Sequence, residues 1–176
     1  ISGGLDKAFQ RGQKLGCEAI QIFLKNQLQW KSSQPSGNRC EAFQKAWQAS
    51  QITEVLAHAS YLVNLASNTE LQHKSTSALV DEIMIAAMFG IDYLIVHPGS
   101  HGGSGEKEGL KRIADSLRSV LLKTDHCRVK ILLETMAGQG STLGYKLEHF
   151  QVIFEDLDWQ DRLGICLDTS HLFASG

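Results

Sequence analysis

Four times along the chain a short, mainly apolar run rich in β-branched residues ends on an ionisable side chain. Ile52 to Ala57 runs into His58, Tyr93 to Val96 into His97, Ile131 to Leu133 into Glu134, and Ile165 to Leu167 into Asp168, with His171 just behind. Runs of this length read as strands buried on both faces. The Pro98-Gly99 pair stops the third strand where the His97 imidazole emerges from the core. The four ionisable ends lie 39, 37 and 34 residues apart, and one strand–helix–strand unit takes roughly 30 residues or more.

Between these runs the apolar spacing becomes helical. Gly3 to Gly16 predicts a helix with Leu5, Ala8, Phe9 and Leu15 roughly on one face and Gly16 as its stop. Cys40 to Ser50 places Phe43, Ala46 and Trp47 at helical spacing, and Thr76 to Gly90 places Leu79, Ile83, Ala86 and Ala87 inward. Glu106 to Lys123 is amphipathic, with Leu110, Ile113, Leu117, Val120 and Leu121 on one side, and Leu143 to Phe154 completes the helices. The strands are Ala19 to Phe23, Ile52 to His58, Tyr93 to Val96, Val129 to Glu134 and Arg162 to Asp168. Five strands alternating with helices imply an α/β fold with a parallel sheet, wound open or closed into a barrel. Ionisable groups at four successive strand ends favour the barrel, where those ends converge on one axis. In an open sheet, ligands gather mainly at a single switch point.

Composition narrows the chemistry. A length of 176 residues implies one domain, 1–176. The net charge of −2 gives no global basic signal, so any nucleic-acid face must be local. Cys17, Cys40, Cys127 and Cys166 are scattered without a CxxC pair, which implies reduced thiols and a cytoplasmic compartment, or a nuclear or organellar one in a eukaryote. No apolar run approaches the roughly 18 residues of a membrane helix, and no secretory signal is recognisable. The opening Ile1-Ser2-Gly3-Gly4, without methionine, and the stop at Gly176 lead to the expectation that both ends are cut.

His58, His97, Glu134, Asp168 and His171 offer only imidazole and carboxylate. That donor set suits Zn²⁺, and also Mn²⁺ or Fe²⁺. No thiolate stands at a strand end, and no serine or cysteine nucleophile is flanked by a histidine. Metal-assisted chemistry is therefore expected, and Glu134 can bridge two ions. Singly, each residue has a plainer role: a histidine after a strand is often a hydrogen-bonded core residue, and Asp168-Thr169-Ser170 reads as a helix N-cap. Four such ends in register are harder to explain that way. His101 is expected to support a ligand from behind, while His73, His126 and His149 are taken as surface residues. Ala137 to Gly140 reads as a tight turn, and Leu24 to Pro35 as a loop over a packed Trp30.

Five segments together resemble the endonuclease IV family of apurinic/apyrimidinic endonucleases. They are Lys25-Asn-Gln-Leu-Gln-Trp30, His58-Ala-Ser-Tyr-Leu-Val-Asn-Leu-Ala66, His97-Pro-Gly-Ser-His101, Glu134-Thr-Met-Ala-Gly-Gln-Gly140 and Cys166-Leu-Asp-Thr-Ser-His-Leu-Phe-Ala-Ser-Gly176. The resemblance implies a TIM (β/α)8 barrel with three zinc ions, acting in base excision repair on double-stranded DNA. The implied reaction is hydrolysis of the phosphodiester 5′ to an abasic site, by a monomer with no membrane partner. By position His58 and His97 look like ligands of the first zinc. Glu134 looks like the carboxylate that bridges the first and second ions and orients the attacking hydroxide. Asp168 looks like a ligand of the second ion and His171 of the third, while Leu28, Gln29 and Tyr61 fall where the family contacts DNA. Leu28 stands where well-known members carry an arginine, so a phosphate contact there is lost and an apolar wedge remains. The family's first strand and last two βα units have no counterpart. An incomplete barrel with negligible nuclease activity is therefore expected of the isolated chain. The competing readings are a metal-dependent sugar isomerase or epimerase on the same barrel, and a non-catalytic remnant.

Overall fold

The computed structural model describes residues 3–155 and 157–176. The opening pair Ile1-Ser2 thus lies outside the described residues. In order the elements are α1 (Lys7–Lys14), β1 (Ala19–Phe23), α2 (Gly37–Gln48), β2 (Glu54–His58), α3 (Thr69–Phe89), β3 (Tyr93–Val96), α4 (Glu106–Lys123), β4 (Lys130–Glu134), α5 (Leu147–Glu155), a 3-10 turn (Gln160–Arg162), β5 (Leu163–Cys166) and α6 (Thr169–Ser175).

The strands form one five-stranded sheet in the order β1-β2-β3-β4-β5, every neighbouring pair parallel. A doubly wound sheet reverses its strand order at a switch point, and this one does not. Right-handed crossovers between strands laid down in sequence put every connecting helix on the same face. Accordingly α1 packs on α2, α2 on α3, α3 on α4 and α4 on α5. The result is an arc of a TIM barrel, an incomplete barrel of five strands. Its far side is open: Ile165 and Leu167 are exposed, and α6 buries none of its residues.

β1, β3 and α4 have the limits their patterns predict. α4 starts at Gly105 (φ +92°), carries Glu106 and Glu108 in its first turn and Lys123 in its last, and buries Leu110, Ile113, Leu117, Val120 and Leu121. The other helices depart from expectation for local reasons. α1 spans Lys7–Lys14 rather than 3–16, and Leu15, at 81% exposure, faces solvent. α2 begins three residues early, at Gly37. α3 begins seven residues early, at Thr69, because none of Thr69 to Lys74 is buried and the first buried positions, Ser75 and Thr76, are polar. Ala87 faces outward, and Gly90, left-handed at φ +71°, closes α3 as expected. α5 starts at Leu147, after Gly144 at φ +88°. β2, β4 and β5 are shorter than their apolar runs, and α6 follows β5 directly.

The core is continuous beneath the sheet. Phe9 of α1, Phe43 of α2 and Phe89 of α3 pack in a row, Phe9 edge-on and Phe89 tilted against Phe43, with Phe43 4.9 Å from each neighbour, ring centre to ring centre. At the opposite rim from the ionisable residues, the buried Arg162 donates from Nε to Val129 O at 2.8 Å and from Nη1 to Thr124 O at 3.0 Å. It ties the end of α4 and the start of β4 to β5. Among the described residues no helix is long and apolar enough to cross a membrane. Phe43→Ala opens a cavity at the junction of three helices. Its expected cost is about 3–5 kcal/mol, read from the urea midpoint at unchanged m value. A loss below about 1 kcal/mol would mean the three helices do not share one core there.

Candidate metal centre

The sheet brings the ionisable ends to one rim. In register, His58 of β2 sits beside Ile95 of β3, Val96 beside Leu133, and Glu134 of β4 beside Cys166 of β5. His97 is thus one step beyond β3, and Asp168 two steps beyond β5. Glu134 lies at the middle of the group. Its Oε2 is 3.1 Å from His58 Nε2 and 3.5 Å from His97 Nε2, and its Oε1 is 3.2 Å from His171 Nδ1. Asp168 Oδ2 lies 3.8 Å from His171 Nδ1. Two sets of potential ligand atoms, one from His58, His97 and Glu134 and one from Glu134, Asp168 and His171, each fall within 4.8 Å of one another. All five residues singled out in the sequence are therefore brought together, and Glu134 belongs to both sets.

The proton positions bear on what these sets hold. His58 Nδ1 lies 2.7 Å from the Ala59 carbonyl, so the ring donates from Nδ1. In the neutral ring the Nε2 lone pair then faces the Glu134 carboxylate. Two acceptors at that distance need a cation between them, a proton or a metal ion. The imidazole–carboxylate donor set fits zinc and its divalent neighbours. His171 Nδ1 lies 2.9 Å from the Thr135 carbonyl, so its other nitrogen keeps a lone pair. Burial would raise the Glu134 pKa, but when His58 and His97 carry the proton on the carboxylate side, their hydrogen bonds and charge outweigh burial and hold the carboxyl far below the usual range. Glu134 is thus an anion ready to bind a cation. Burial first, then Glu134 and Asp168, push the Cys166 thiol up, which keeps it protonated and unfit as a nucleophile.

The backbone around the ligands is braced. Gly99 turns at φ +111° behind His97. The Asn64 side chain spans that turn, its Oδ1 accepting from Ser100 N–H at 3.0 Å and its Nδ2 donating to Ser100 O at 3.1 Å. Thr135 N–H donates to Cys166 O, and Thr135 Oγ1 accepts from Asp168 N–H, both at 2.9 Å, tying the end of β4 to the segment after β5. Asp168 is also the N-cap of α6, its Oδ1 accepting from His171 N–H at 2.8 Å. The cap role and a potential ligand position coexist in one carboxylate.

Around this centre the other expected residues fall into place unevenly. Tyr61, 52% exposed, stacks on His97 at 5.5 Å and meets His58 and Phe23 edge-on. Leu28 and Gln29 are exposed on the loop after β1. Trp30 of the same loop is half-buried against the core, with Lys74 Nζ 4.6 Å above its ring. His101 does not stand behind a ligand: its Nδ1 accepts from Gly105 N–H at 3.1 Å and shapes the turn before α4. His73 and His126 are exposed, but His149 is only 2% exposed. Its Nδ1 accepts from Gly144 N–H at 2.9 Å and its Nε2 approaches Glu106, so it pins the glycine-rich turn after β4. A residue not singled out in the sequence is Glu82, fully buried and paired with Lys25. Its place among Leu79, Ile83 and Ala86 on the inward side of α3 was the available signal.

Any side chain at position 99 would adopt a strained φ and meet the Asn64 amide and Leu65 N. Gly99→Ala is expected to cost roughly 1–3 kcal/mol in the denaturation midpoint. It should also weaken zinc binding, measured by competition with a chromophoric chelator. Unchanged zinc affinity would show that the Asn64 brace does not position His97.

Comparison with known proteins places this arrangement. The model of the xylose isomerase-like TIM barrel family matches residues 9–176. A probable endonuclease 4 of Chloroflexus aggregans is 46% identical over all of this chain and 62% of its own length. The crystal structure of endonuclease IV from Thermus thermophilus superposes with a TM-score of 0.86 at 33% identity, again over all of this chain and 62% of that one. A D-tagatose 3-epimerase-like protein superposes at a TM-score of 0.77 and 21% identity, over 96% of this chain and 62% of its own, a likeness of fold alone. The chain thus spans 62% of the length of these relatives. With five parallel strands in sequence order, candidate metal ligands at their C-terminal rim and a match over nearly its whole length, this chain belongs to the xylose isomerase-like TIM barrel family.

Proposed function

We propose that this chain carries the metal-binding rim of an AP endonuclease, which hydrolyses the phosphodiester 5′ to abasic sites in double-stranded DNA. The observation that carries the reading is the Glu134 carboxylate shared by two ligand sets, His58 with His97 on one side and Asp168 with His171 on the other. Paired metal sites that share a carboxylate suit in-line displacement at phosphorus, where attacking and leaving oxygens both need charge neutralised. The identity to proteins named endonuclease 4 supports the same assignment.

In this reading His58, His97 and Glu134 would hold one zinc ion, Glu134 and Asp168 would contribute to a second, and His171 to a third. When bound, zinc would supply Lewis acidity, lowering the pKa of a water to about 7 and offsetting charge on a phosphate. The protein does the rest. Glu134, held ionised in the buried rim, fixes the spacing of the two ligand sets and acts as the catalytic carboxylate. The His58 ring is oriented by its bond to Ala59 O, and that of His171 by its bond to Thr135 O. Tyr61 roofs the histidine pair and presents half of its ring to an incoming strand. Leu28 offers an apolar wedge for the base stack beside an abasic gap, and Gln29 an amide for base or backbone.

After equilibration with zinc and removal of excess, the chain is expected to retain at least one ion. Glu134→Gln is expected to lose most of it, as measured by elemental analysis of the eluted protein. A zinc-loaded chain is also expected to prefer a duplex with a tetrahydrofuran abasic analogue over the intact duplex by about tenfold or more. Incision by the chain alone is expected to be negligible, because the chain spans only 62% of the length of its endonuclease IV relatives. Equal affinity for both duplexes would sink the DNA assignment, and zinc retention by Glu134→Gln would sink the shared site.

A further inference from the structure

The side chains proposed to meet DNA sit on two different loops, the one after β1 (Leu28, Gln29) and the one after β2 (Tyr61). Loops that open a strand end are ordinarily the most mobile part of such a barrel. Beneath these two lies a buried polar cluster that the metal centre does not use. Glu82 of α3 has no exposed surface in its side chain, and Lys25 almost none. Lys25 Nζ reaches Glu82 Oε1 at 3.1 Å and donates to the Trp30 carbonyl at 2.9 Å, across the Leu28–Gln29 turn. Both Glu82 oxygens accept from Ser60 N–H, at 3.1 and 3.2 Å, and Ser60 Oγ donates to Gln27 O at 2.7 Å. One carboxylate therefore serves the first loop through Lys25 and the second through Ser60. A direct bond from Ser60 to Gln27 closes the circuit.

A buried ion pair is a poor device for stability alone, since its desolvation offsets most of its attraction. It does impose a single geometry, because any other arrangement leaves a charge unpaired in the core. We infer that Lys25 and Glu82 are positioning residues that lock the Leu28–Gln29 turn and Tyr61 into one rigid reading head over the metal rim. This inference rests on the proposed function for what the head reads. Its chemistry is preorganisation: a surface fixed before encounter loses less freedom on binding a distorted duplex. Intact duplex, held by phosphate contacts alone, gains little from that fixity.

The test uses the zinc-loaded chain and the double variant Lys25→Met with Glu82→Gln. The pair of substitutions removes both charges together and keeps an acceptor for Ser60 N–H. Ser60→Ala is the milder second cut, losing the hydroxyl bond to Gln27 O and the acceptor that the same hydroxyl offers Leu62 N–H. Hydrogen exchange of segments 26–30 and 59–64 reads the coupling. The expected result in the double variant is parallel loss of protection in both segments, with β3 and β4 unchanged and zinc content as in the parent. Preference for the tetrahydrofuran duplex over intact duplex should fall about tenfold, equivalent to the ordering of one or two interface side chains. Ser60→Ala should move both readouts the same way by less. Loss of protection in one segment only, or in neither, overturns the coupling. Loosened loops with undiminished preference overturn the positioning role while leaving the proposed function standing. A merely structural role would lower the denaturation midpoint and leave the ratio of the two affinities where it was. Equal binding of both duplexes by the parent chain removes the proposed function itself, and the exchange result then judges the lock alone.

Discussion

A single acidic group governs the rim of this barrel. Glu134 is nearly withdrawn from water and faces three imidazoles, two through one oxygen and one through the other. An ionised carboxylate in such a place costs several kcal/mol unless positive charge or hydrogen donors surround it. The surrounding histidines come from separate parts of the fold, His58 from the end of β2, His97 from the turn after β3 and His171 from α6. Each of these must end at the same height for the carboxylate to be satisfied. Parallel strands added in chain order meet that condition, because every strand then ends on the same side of the sheet.

Rigidity at the rim comes from bonds below and behind the ligands. Ala59 and Thr135 carbonyls orient two of the rings, Asn64 spans the turn after His97, and Thr135 joins β4 to the Asp168 segment. His149 and the Lys25–Glu82 pair hold the loops around them. The opposite rim is held differently, by the buried Arg162 guanidinium capping carbonyls of Thr124 and Val129. One end of the sheet thus gathers the candidate metal ligands and the other is held by hydrogen bonds that join α4, β4 and β5. The superposition on an epimerase-like protein of low identity is a likeness of fold alone. The strands and helices are a general support, and the reaction depends on which side chains cross the rim.

Much of this was legible in the residues in order. Strand identity is local, since an apolar run of four or five residues broken by Pro98-Gly99 has few other ways to fold. β1, β3 and α4 accordingly have the limits their patterns predict. The metal-ligand candidates were legible for a related reason: an ionisable group directly after a buried strand is positioned by that strand. The start of α3 was obscured because its first turns, Thr69 to Lys74, bury no residue, and Ser75 and Thr76 after them are polar. Periodicity measures hydrophobicity, and these turns offer none to the core.

The sequence alone therefore determined the alternation of strands and helices, the parallel sheet and the five side chains at its rim, because each follows from neighbours within a few residues. Only the tertiary structure decided that Glu134 stands between the two histidine groups, that His149 is interior and His101 merely shapes a turn, and that Lys25 meets Glu82. Those facts depend on which distant segments come into contact. A charged or imidazole side chain reads the same in a sequence whether its partner is water or another residue, and folding alone supplies the partner.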